Sequence, residues 1–287
     1  MSIQELSAAP STLSLYSRAL LGSLGGKKGG DTLPDVELQL NDLKIDRQQL
    51  AAYNRVCGFA QRETIPATFP FILAFPLHMS LITAPDFPFA AMGLVHITNS
   101  ITQHRPIKAS EALNIRVRPG NLRPHDKGVQ FSIFTEVRVG DELVWESEGA
   151  MLKRTGGGGK TEAKPAPAPK TTPAPASALW TVPADIGRRY GAVSGDRNPI
   201  HLYAFTAKLF GFPRAIAHGM WTKAHCLAAL DGRLPDAFTV DVQFKLPLLL
   251  PAKVAFSSEV LPGGGFEFGV SDAKSGKPHL AGKVTVV

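Results

Sequence analysis

The most polar loop in the later half of the chain holds a carboxylate and an imidazole that could act together on water. In the run SGDRNPIH at residues 194–201, Asp196 and His201 are separated by the turn-forming pair Asn198-Pro199. A carboxylate and an imidazole that face each other can bind one water molecule, and one of them can accept its proton. Histidine can do this in both directions, because its ordinary pKa lies near neutrality. The loop therefore predicts acid–base chemistry at Asp196 and His201.

A backbone donor is predicted where the run Ala217-His218-Gly219-Met220 begins a helix. The N–H groups in the first turn of a helix have no internal partner and lie at the positive end of its dipole. A glycine there allows a ligand to approach the main chain closely. A carbonyl oxygen that gains negative charge in a transition state needs such a donor. Gly219 is therefore a candidate oxyanion donor.

A purely structural explanation also accounts for these residue types. Asp196 and Asn198 could serve only as a helix cap and a turn, and His201 could be an ordinary hydrogen-bonded histidine. The earlier half of the chain argues against this explanation. YNRVCGF at residues 53–59 lies over YGAVSGD at residues 190–196, with Tyr, Val and Gly at shared positions. This comparison places an apolar Phe59 opposite Asp196, so the fold itself does not require the carboxylate.

A second matching block supports an internal duplication. Phe69-Pro70 lies over Phe212-Pro213, and the register that continues from there places Pro76 opposite Gly219. A slip of two residues would also be compatible with the pattern at this point. The later half carries six extra residues between the two blocks, and they fall in the polar loop. We interpret the chain as a duplicated fold in which only the second copy keeps the polar residues.

The elements that must position these residues have the same order in both halves. The later half predicts helices over residues 204–211 and 218–230, and alternating apolar residues then predict strands that start near Val240, Val254, Phe266 and Val284. The earlier half predicts a helix over residues 75–82 and strands over 94–102, 113–117, 129–139 and 143–152. A helix followed by an antiparallel sheet, repeated once, is an α+β layer fold.

A segment rich in Gly, Pro, Ala and Lys separates the two halves. Residues 155–178 contain no large apolar side chain, so burial cannot offset the entropy of ordering them, and we expect a connector. The run GGGGKT within it lacks the strand and helix that a phosphate-binding loop needs. The predicted organisation is therefore a first unit over residues 1–154, a linker over 155–178 and a second unit over 179–287.

The composition excludes several classes of protein. The net charge of +7 comes from dispersed Lys and Arg residues without a nucleic-acid-binding motif, so no nucleic-acid partner is expected. No apolar run reaches the roughly 18 residues of a membrane-spanning helix. Residues 11–24 lack the basic flank of a signal peptide and predict an amphipathic helix that lies on the body. Two cysteines suit a reducing cytoplasm and no thiolate metal site.

The run YGAVSGDRNPIHLYAFTAKLFGFPRAIAHGM resembles the signature of the R-specific enoyl-CoA hydratase, or MaoC-like dehydratase, family. The resemblance implies the double hot-dog fold, in which each unit wraps an antiparallel sheet around a long helix. It places the acid–base pair on Asp196 and His201 and the oxyanion amide on Gly219. It further implies substrate contacts at Tyr190, Asn198, His218 and Met220. One departure is Tyr203, where many single-unit members carry an acidic residue.

The resemblance implies a hydro-lyase that interconverts trans-2-enoyl and (R)-3-hydroxyacyl thioesters on coenzyme A or acyl carrier protein. No metal or other cofactor is expected, because hydration moves only water and protons. The first unit would accommodate the acyl chain, since Phe75 and Pro76 are apolar where the second unit has His218 and Gly219. The alternatives are a hot-dog acyl thioesterase and a non-catalytic acyl-thioester-binding subunit. The chain would act as a monomer of two hot-dog units or as a homodimer.

Overall fold

The computed structural model of the protein describes residues 1–24, 32–154 and 176–287. The strands are β1 (Ser2–Leu6), β2 (Val36–Lys44), β3 (Leu94–Gln103), β4 (Ala112–His125), β5 (Gly128–Val139), β6 (Glu142–Arg154), β7 (Ala178–Val182), β8 (Phe238–Phe244), β9 (Ala252–Val260), β10 (Phe266–Asp272) and β11 (Pro278–Val286). The helices are α1 (Thr12–Leu24), α2 (Arg47–Cys57), α3 (Phe69–Ile82), α4 (Ile186–Ser194), α5 (Pro199–Leu202), α6 (Ala204–Leu209) and α7 (Gly219–Ala229).

The described strands form one continuous sheet in the order β1-β2-β4-β5-β6-β3-β8-β11-β10-β9-β7. β1 pairs with β2 in parallel, and the remaining neighbours are antiparallel. Most strands turn one face to the core, as in β8, where Val240 and Val242 are buried and Asp241 and Gln243 are exposed. The central β3–β8 pair joins the two halves, so they share a single sheet and not only a linker.

The topology supports the internal duplication predicted from the sequence. Inside the edge strand β1, the first unit reads β2-β4-β5-β6-β3 toward the centre of the sheet, and the second unit reads β7-β9-β10-β11-β8 from the opposite edge. After β1 and α1, each unit begins with one strand, continues with helices and ends with four antiparallel strands. Strands at the same place in this succession also take the same place in the sheet. The α+β double hot-dog prediction is confirmed in this arrangement.

The first matching block forms the same structure in both units. α2 and α4 each end in a glycine with left-handed backbone, with φ of 92° at Gly58 and 77° at Gly195. Tyr53 and Tyr190 are both buried, and their ring centroids lie 6.2 Å apart where the two helices meet. The residue after each cap is Phe59 in one unit and Asp196 in the other. The two loops therefore leave equivalent helices and differ in chemistry.

The helices α3 and α7 pack on the sheet, α3 against β4 and β5 and α7 against β11. α3 is apolar on nearly every side and begins at Phe69, six residues before the predicted start at residue 75. The sequence obscured this start, because an all-apolar helix has no periodicity and Pro76 lies inside it. α7 begins one residue after the predicted start and ends one residue before the predicted end, with His218 as its N-cap. The predicted bounds of α7 therefore needed little correction.

Several boundaries differ from the sequence-based expectations. α6 ends at Leu209 and not at residue 211, because Gly211 adopts a φ of 84°. The strands of the first unit extend beyond their predicted cores, most of all β4, which is 14 residues long. The predicted linker ends too late, since Ala178 already begins β7, and its residues 155–175 lie outside the described residues. The sequence analysis did not assign β1, β2, β7, α2, α4 or α5.

The N-terminal helix α1 packs on the body, as the amphipathic pattern predicted. Leu15 and Ala19 are buried, and Leu20 and Leu21 are exposed. The buried side chains of both units join one core that includes Trp145 and Tyr53. Among residues 1–24, 32–154 and 176–287, no helix is long and apolar enough to cross a membrane.

Candidate active site

The polar loop between α4 and α5 carries the predicted acid–base pair to the first turn of α7. The left-handed cap Gly195 ends α4 and turns the chain into the loop. Asn198 is the N-cap of α5, and its side-chain oxygen accepts a hydrogen bond from the N–H of Ile200 at 3.3 Å. His201 follows within this short helix. The turn residues therefore fix where both Asp196 and His201 lie.

A glycine in α4 allows the loop to lie directly on the helix. A Cβ atom at Gly187 would overlap the backbone carbonyl oxygen of His201. A Cβ atom at Gly191, one turn later, would lie 2.8 Å from the carbonyl oxygen of Asp196. In the alignment that pairs Tyr53 with Tyr190, the first unit has Leu50 in place of Gly187. In the second unit the polar loop therefore lies against α4 more closely than a side chain such as Leu50 would allow.

We expect Gly187→Ala to lower turnover by at least tenfold and to lower the melting temperature. The added methyl group must displace the main chain at His201, and a shift of about 1 Å at a reacting group can cost roughly a hundredfold in rate. Leu50→Ala is the matched control, since it disturbs the equivalent helix position and should affect stability more than turnover. Wild-type turnover in Gly187→Ala would show that the close approach at His201 has no catalytic consequence.

The His201 ring is held in one tautomer. Its Nδ1–H donates a hydrogen bond to the carbonyl oxygen of Ile216 at 2.8 Å, and a carbonyl can only accept. Burial lowers the pKa of His201, although Asp196 and the Ile216 carbonyl oppose this effect. The neutral ring therefore carries its proton on Nδ1, which leaves Nε2 as an acceptor. No described residue forms a hydrogen bond with that Nε2 atom.

His218 supports the loop and stacks on His201. The centroids of the two imidazole rings are 3.7 Å apart, with 26° between the ring planes. The Nε2–H of His218 donates to the backbone carbonyl oxygen of Asp196 at 3.0 Å. Burial and, to a smaller extent, the neighbouring His201 lower the pKa of His218 to about 3. Both imidazoles are therefore neutral near pH 7, and among the described residues nothing bonds the buried Nδ1 of His218.

The two oxygens of Asp196 have different surroundings. Oδ1 accepts hydrogen bonds from the Tyr16 hydroxyl at 2.8 Å and from the Asn198 N–H at 3.1 Å. Oδ2 lies 3.8 Å from Nε2 of His218, and no described residue donates a hydrogen bond to it. Burial alone would raise the pKa of Asp196, but His218, His201 and the hydrogen bonds to Oδ1 outweigh it and lower the pKa. Asp196 is therefore a carboxylate with one oxygen available to a ligand.

Gly219 is the first residue of α7, so its N–H has no acceptor within the helix. A Cβ atom at this position would lie 2.8 Å from the Phe244 ring. The glycine therefore makes room for a ring that packs over the end of α7. This contact also means that even Gly219→Ala disturbs the site, which the sequence could not indicate.

A cavity of about 280 Å³ opens between the two units. The predicted catalytic residues Asp196, His201 and Gly219 line it, as do the predicted substrate contacts Tyr190, Asn198, His218 and Met220. The first unit contributes an apolar wall that includes Phe71, Phe75, Met79, Ile82 and Leu94. Phe75 lines the cavity as expected, whereas Pro76 is not among its lining residues. One cavity therefore joins the polar loop of the second unit to the apolar helix of the first.

Three of these residues are close enough to hold a metal ion. Donor atoms of Asp196, His201 and His218 lie within 4.8 Å of one another. The Nε2 atom of His218 already donates a hydrogen bond to the Asp196 carbonyl oxygen, so its Nδ1 atom is the one left to bind an ion. Because these residues could hold an ion, the expectation of metal-independent chemistry stays a prediction. We expect turnover to be unchanged after dialysis against EDTA, and a loss that Zn²⁺ or Fe²⁺ restores would contradict it.

Sequence reasoning missed two parts of the site. Gly187 and Gly191 are spaced four residues apart on α4, and this small-residue face was a readable signal of close approach. Tyr16 left no such signal, because nothing in residues 11–24 indicates that the helix ends up beside a loop 180 residues away. Long-range contacts of this kind become visible only in the folded chain.

Three buried histidines predict that the free energy of unfolding depends on pH. Burial lowers the pKa of His78 and His218 to about 3 and that of His96 to about 4. Above about pH 6.5 these groups are neutral in both states, so they contribute no pH dependence. Below it, the unfolded chain binds protons that the folded chain excludes, so the free energy of unfolding should fall as the pH drops from about 6.5 to 4. Each histidine contributes a slope of up to about 1.4 kcal/mol per pH unit.

Urea unfolding between pH 7.5 and 4.5 measures this slope. His78→Gln should flatten it, because the variant keeps a polar group near Thr135, the present hydrogen-bond partner, without a titrating ring. His125→Gln in the β4–β5 hairpin is the matched control and should leave the slope unchanged. A free energy of unfolding that stays constant over this range would contradict the assignment of neutral buried imidazoles.

Comparison with known proteins agrees with this fold. The family model described as MaoC like domain matches residues 161–271. The 3-hydroxyacyl-thioester dehydratase X of Mycobacterium tuberculosis is 43% identical over 278 residues, which cover 96% of this chain and 98% of that protein. The chain therefore belongs to the MaoC-like dehydratase family, and the resemblance seen in the sequence is confirmed.

Solved structures extend the comparison to the whole fold. The crystal structure of HtdX from Mycobacterium tuberculosis has a TM-score of 0.77 and 39% identity, and the match covers 88% of this chain and 100% of that one. The MaoC-like dehydratase from Phytophthora capsici has a TM-score of 0.70 with 17% identity, and the match covers 88% and 95% of the two chains. At that lower identity the likeness supports the fold alone.

Proposed function

We propose that this protein is a hydro-lyase that adds water reversibly to trans-2-enoyl thioesters and forms (R)-3-hydroxyacyl thioesters. One observation carries the proposal. An imidazole whose free Nε2 is an acceptor and a carboxylate with a free Oδ2 line the same cavity as the first-turn amide of α7. Hydration needs these three functions, namely a base, a group that orients water and a donor to the thioester oxygen.

The dehydration direction can be written with these groups alone. His201 Nε2 removes the proton from C2 of the hydroxyacyl thioester, and the electron pair moves toward the thioester carbonyl. When the C2–C3 double bond forms, the C3–O bond breaks and the departing hydroxyl takes the proton from His201 as water. Asp196 Oδ2 accepts a hydrogen bond from that hydroxyl and stabilises the transient imidazolium. Hydration is the same sequence in reverse.

The amide of Gly219 is proposed to stabilise the enolate-like oxygen. The N–H lies at the positive end of α7, where negative charge is favoured. The ring of Phe244 packs against this end of the helix and would exclude water from the carbonyl. Low local polarity strengthens such a hydrogen bond in the transition state.

The first unit is proposed to bind the acyl chain. Phe71, Phe75, Met79 and Ile82 follow α3 along the cavity and present an apolar wall. Tyr190, Asn198, His218 and Met220 would contact the reacting end of the substrate. The thioester carrier is coenzyme A or acyl carrier protein, and the net charge of +7 suits either anionic carrier. We also propose that the protein resides in the cytoplasm, where the free Cys57 and Cys226 stay reduced.

The test is turnover by the purified chain on trans-2-enoyl-CoA substrates of increasing length, followed by loss of enoyl-thioester absorbance. We expect hydration without release of free thiol and an optimum chain length set by the apolar wall. Phe75→Trp should shift this optimum to shorter chains, because the larger ring occupies part of the cavity. Free thiol from a saturated acyl-CoA would support the thioesterase alternative, and no turnover by the chain alone would support the binding subunit.

A further inference from the structure

The helix α1 lies outside the succession of elements that the two hot-dog units share, and it packs beside the loop that carries Asp196. Its buried Leu15 and Ala19 anchor it to the core. The Thr12 methyl group sits against the cap of α4, since a Cβ atom at Gly195 would lie 3.0 Å from it. From this position the Tyr16 hydroxyl donates a 2.8 Å hydrogen bond to Oδ1 of Asp196. An element that neither repeat contains thus contacts the carboxylate of the site.

We propose that Tyr16 is a positioning residue that orients the Asp196 carboxylate for reaction. The inference rests on the proposed function, because it assigns a role through Asp196. The Tyr16 hydroxyl and the Asn198 N–H together hold Oδ1, so that Oδ2 is the oxygen left for water or the substrate hydroxyl. Tyr16 itself is not among the residues that line the cavity, so it acts through the carboxylate and not on the substrate.

The Tyr16 hydroxyl is suited to act as a hydrogen-bond donor that keeps its proton. Burial and the neighbouring Asp196 raise the pKa of the phenol far above its ordinary value, so the hydroxyl keeps its proton. The hydroxyl also fixes the carboxylate plane without adding charge to the site. A hydrogen bond to an ionised acceptor is stronger than one between neutral groups. The phenol therefore orients Asp196 at every pH at which the enzyme would work.

The hydrogen bond should also affect the titration of Asp196. The titratable groups that face this carboxylate are Tyr16 from α1, Tyr190 from α4, His201 from α5, His218 before α7 and His96 from β3. The Tyr16 hydrogen bond is one of the contributions that lower its pKa. Removing the hydroxyl should raise that pKa and move the acidic limb of the rate profile to higher pH.

The test is Tyr16→Phe, which removes one oxygen and keeps the ring that packs α1 in place. Hydrogen bonds to charged groups contribute enough to predict a roughly tenfold or larger fall in kcat, with KM within about twofold of wild type. The acidic limb of kcat against pH should move up by about one unit. Tyr53→Phe is the matched control, because it removes a buried hydroxyl that is bonded to Thr68 and not to the carboxylate. It should lower stability without moving the limb.

Asp196→Asn tests the proposed function, whereas Tyr16→Phe tests only the role of Tyr16. If Asp196→Asn retains turnover, the proposed function itself is wrong. If Asp196→Asn is inactive while Tyr16→Phe matches wild type in kcat and in its acidic limb, only the Tyr16 inference is overturned. The Tyr16 inference is also overturned if Tyr16→Phe lowers kcat and the melting temperature but leaves the acidic limb of kcat against pH in place. That result would indicate a merely structural role.

Discussion

Asp196→Asn and His201→Ala are each expected to lower turnover by about 10²–10⁴ while the protein stays folded. The asparagine still offers an oxygen to Tyr16 and Asn198 but carries no negative charge. The alanine removes the free Nε2 that the bond to the Ile216 carbonyl orients. The double variant should be no slower than the slower single variant, because groups that act as a unit fall together. Steady-state hydration rates at saturating enoyl-CoA measure the effect.

The matched controls are Asp126→Asn and His125→Ala in the β4–β5 hairpin, which repeat the two chemical changes at residues that do not line the cavity. Both should retain wild-type turnover. Circular dichroism melts of all four variants would separate loss of the fold from loss of chemistry. More than about a tenth of wild-type turnover in Asp196→Asn or His201→Ala would contradict their assignment, since it lies outside the expected range.

Removal of the Gly219 N–H is expected to cost about 10²–10³ in turnover. Gly219→Pro deletes this donor, and the backbone allows it, because His218 has the extended ψ of 136° that a following proline prefers. Any Cβ atom at residue 219 meets the Phe244 ring, so both substitutions are best made in a Phe244→Leu background. There, Gly219→Ala keeps the amide and adds only the methyl group.

The comparison of these two variants is the measurement. The alanine variant should retain much more kcat than the proline variant at saturating substrate, with similar melting temperatures. Equal and near-normal turnover in both would mean that the thioester oxygen is stabilised elsewhere. Equal and severe loss in both, relative to the Phe244→Leu background, would mean that any side-chain atom at residue 219, and not the missing amide, limits the reaction.

The sequence predicted the parts of the fold that depend on local patterns. Alternating residues such as those around Val240 and Val254 located the strands of the second unit, because one face of an antiparallel strand is buried. The matching blocks at Tyr53 and Tyr190 identified the duplication, since the same left-handed glycine cap follows in each. The candidate site residues also came from short-range features, namely a turn and a helix start.

The rest depended on contacts between distant residues. The start of α3 at Phe69 was missed because a helix buried on all sides carries no amphipathic pattern. The edge strands β1 and β7 are short and mostly exposed or half-buried, so their sequences lack a strong alternation. The hydrogen bond from Tyr16 to Asp196 joins segments 180 residues apart, which no local pattern encodes. The contact of Phe244 with Gly219 is likewise a product of the tertiary fold.

Hydration of a trans-2-enoyl-CoA in ¹⁸O-labelled water tests the central claim most directly. If Asp196 and His201 direct water to C3, the product should be an intact (R)-3-hydroxyacyl-CoA with one labelled oxygen in its hydroxyl group. The Asp196→Asn variant should form almost none of it under the same conditions. Labelled oxygen in a free carboxylate, with release of coenzyme A, would show attack on the carbonyl carbon and would contradict the account.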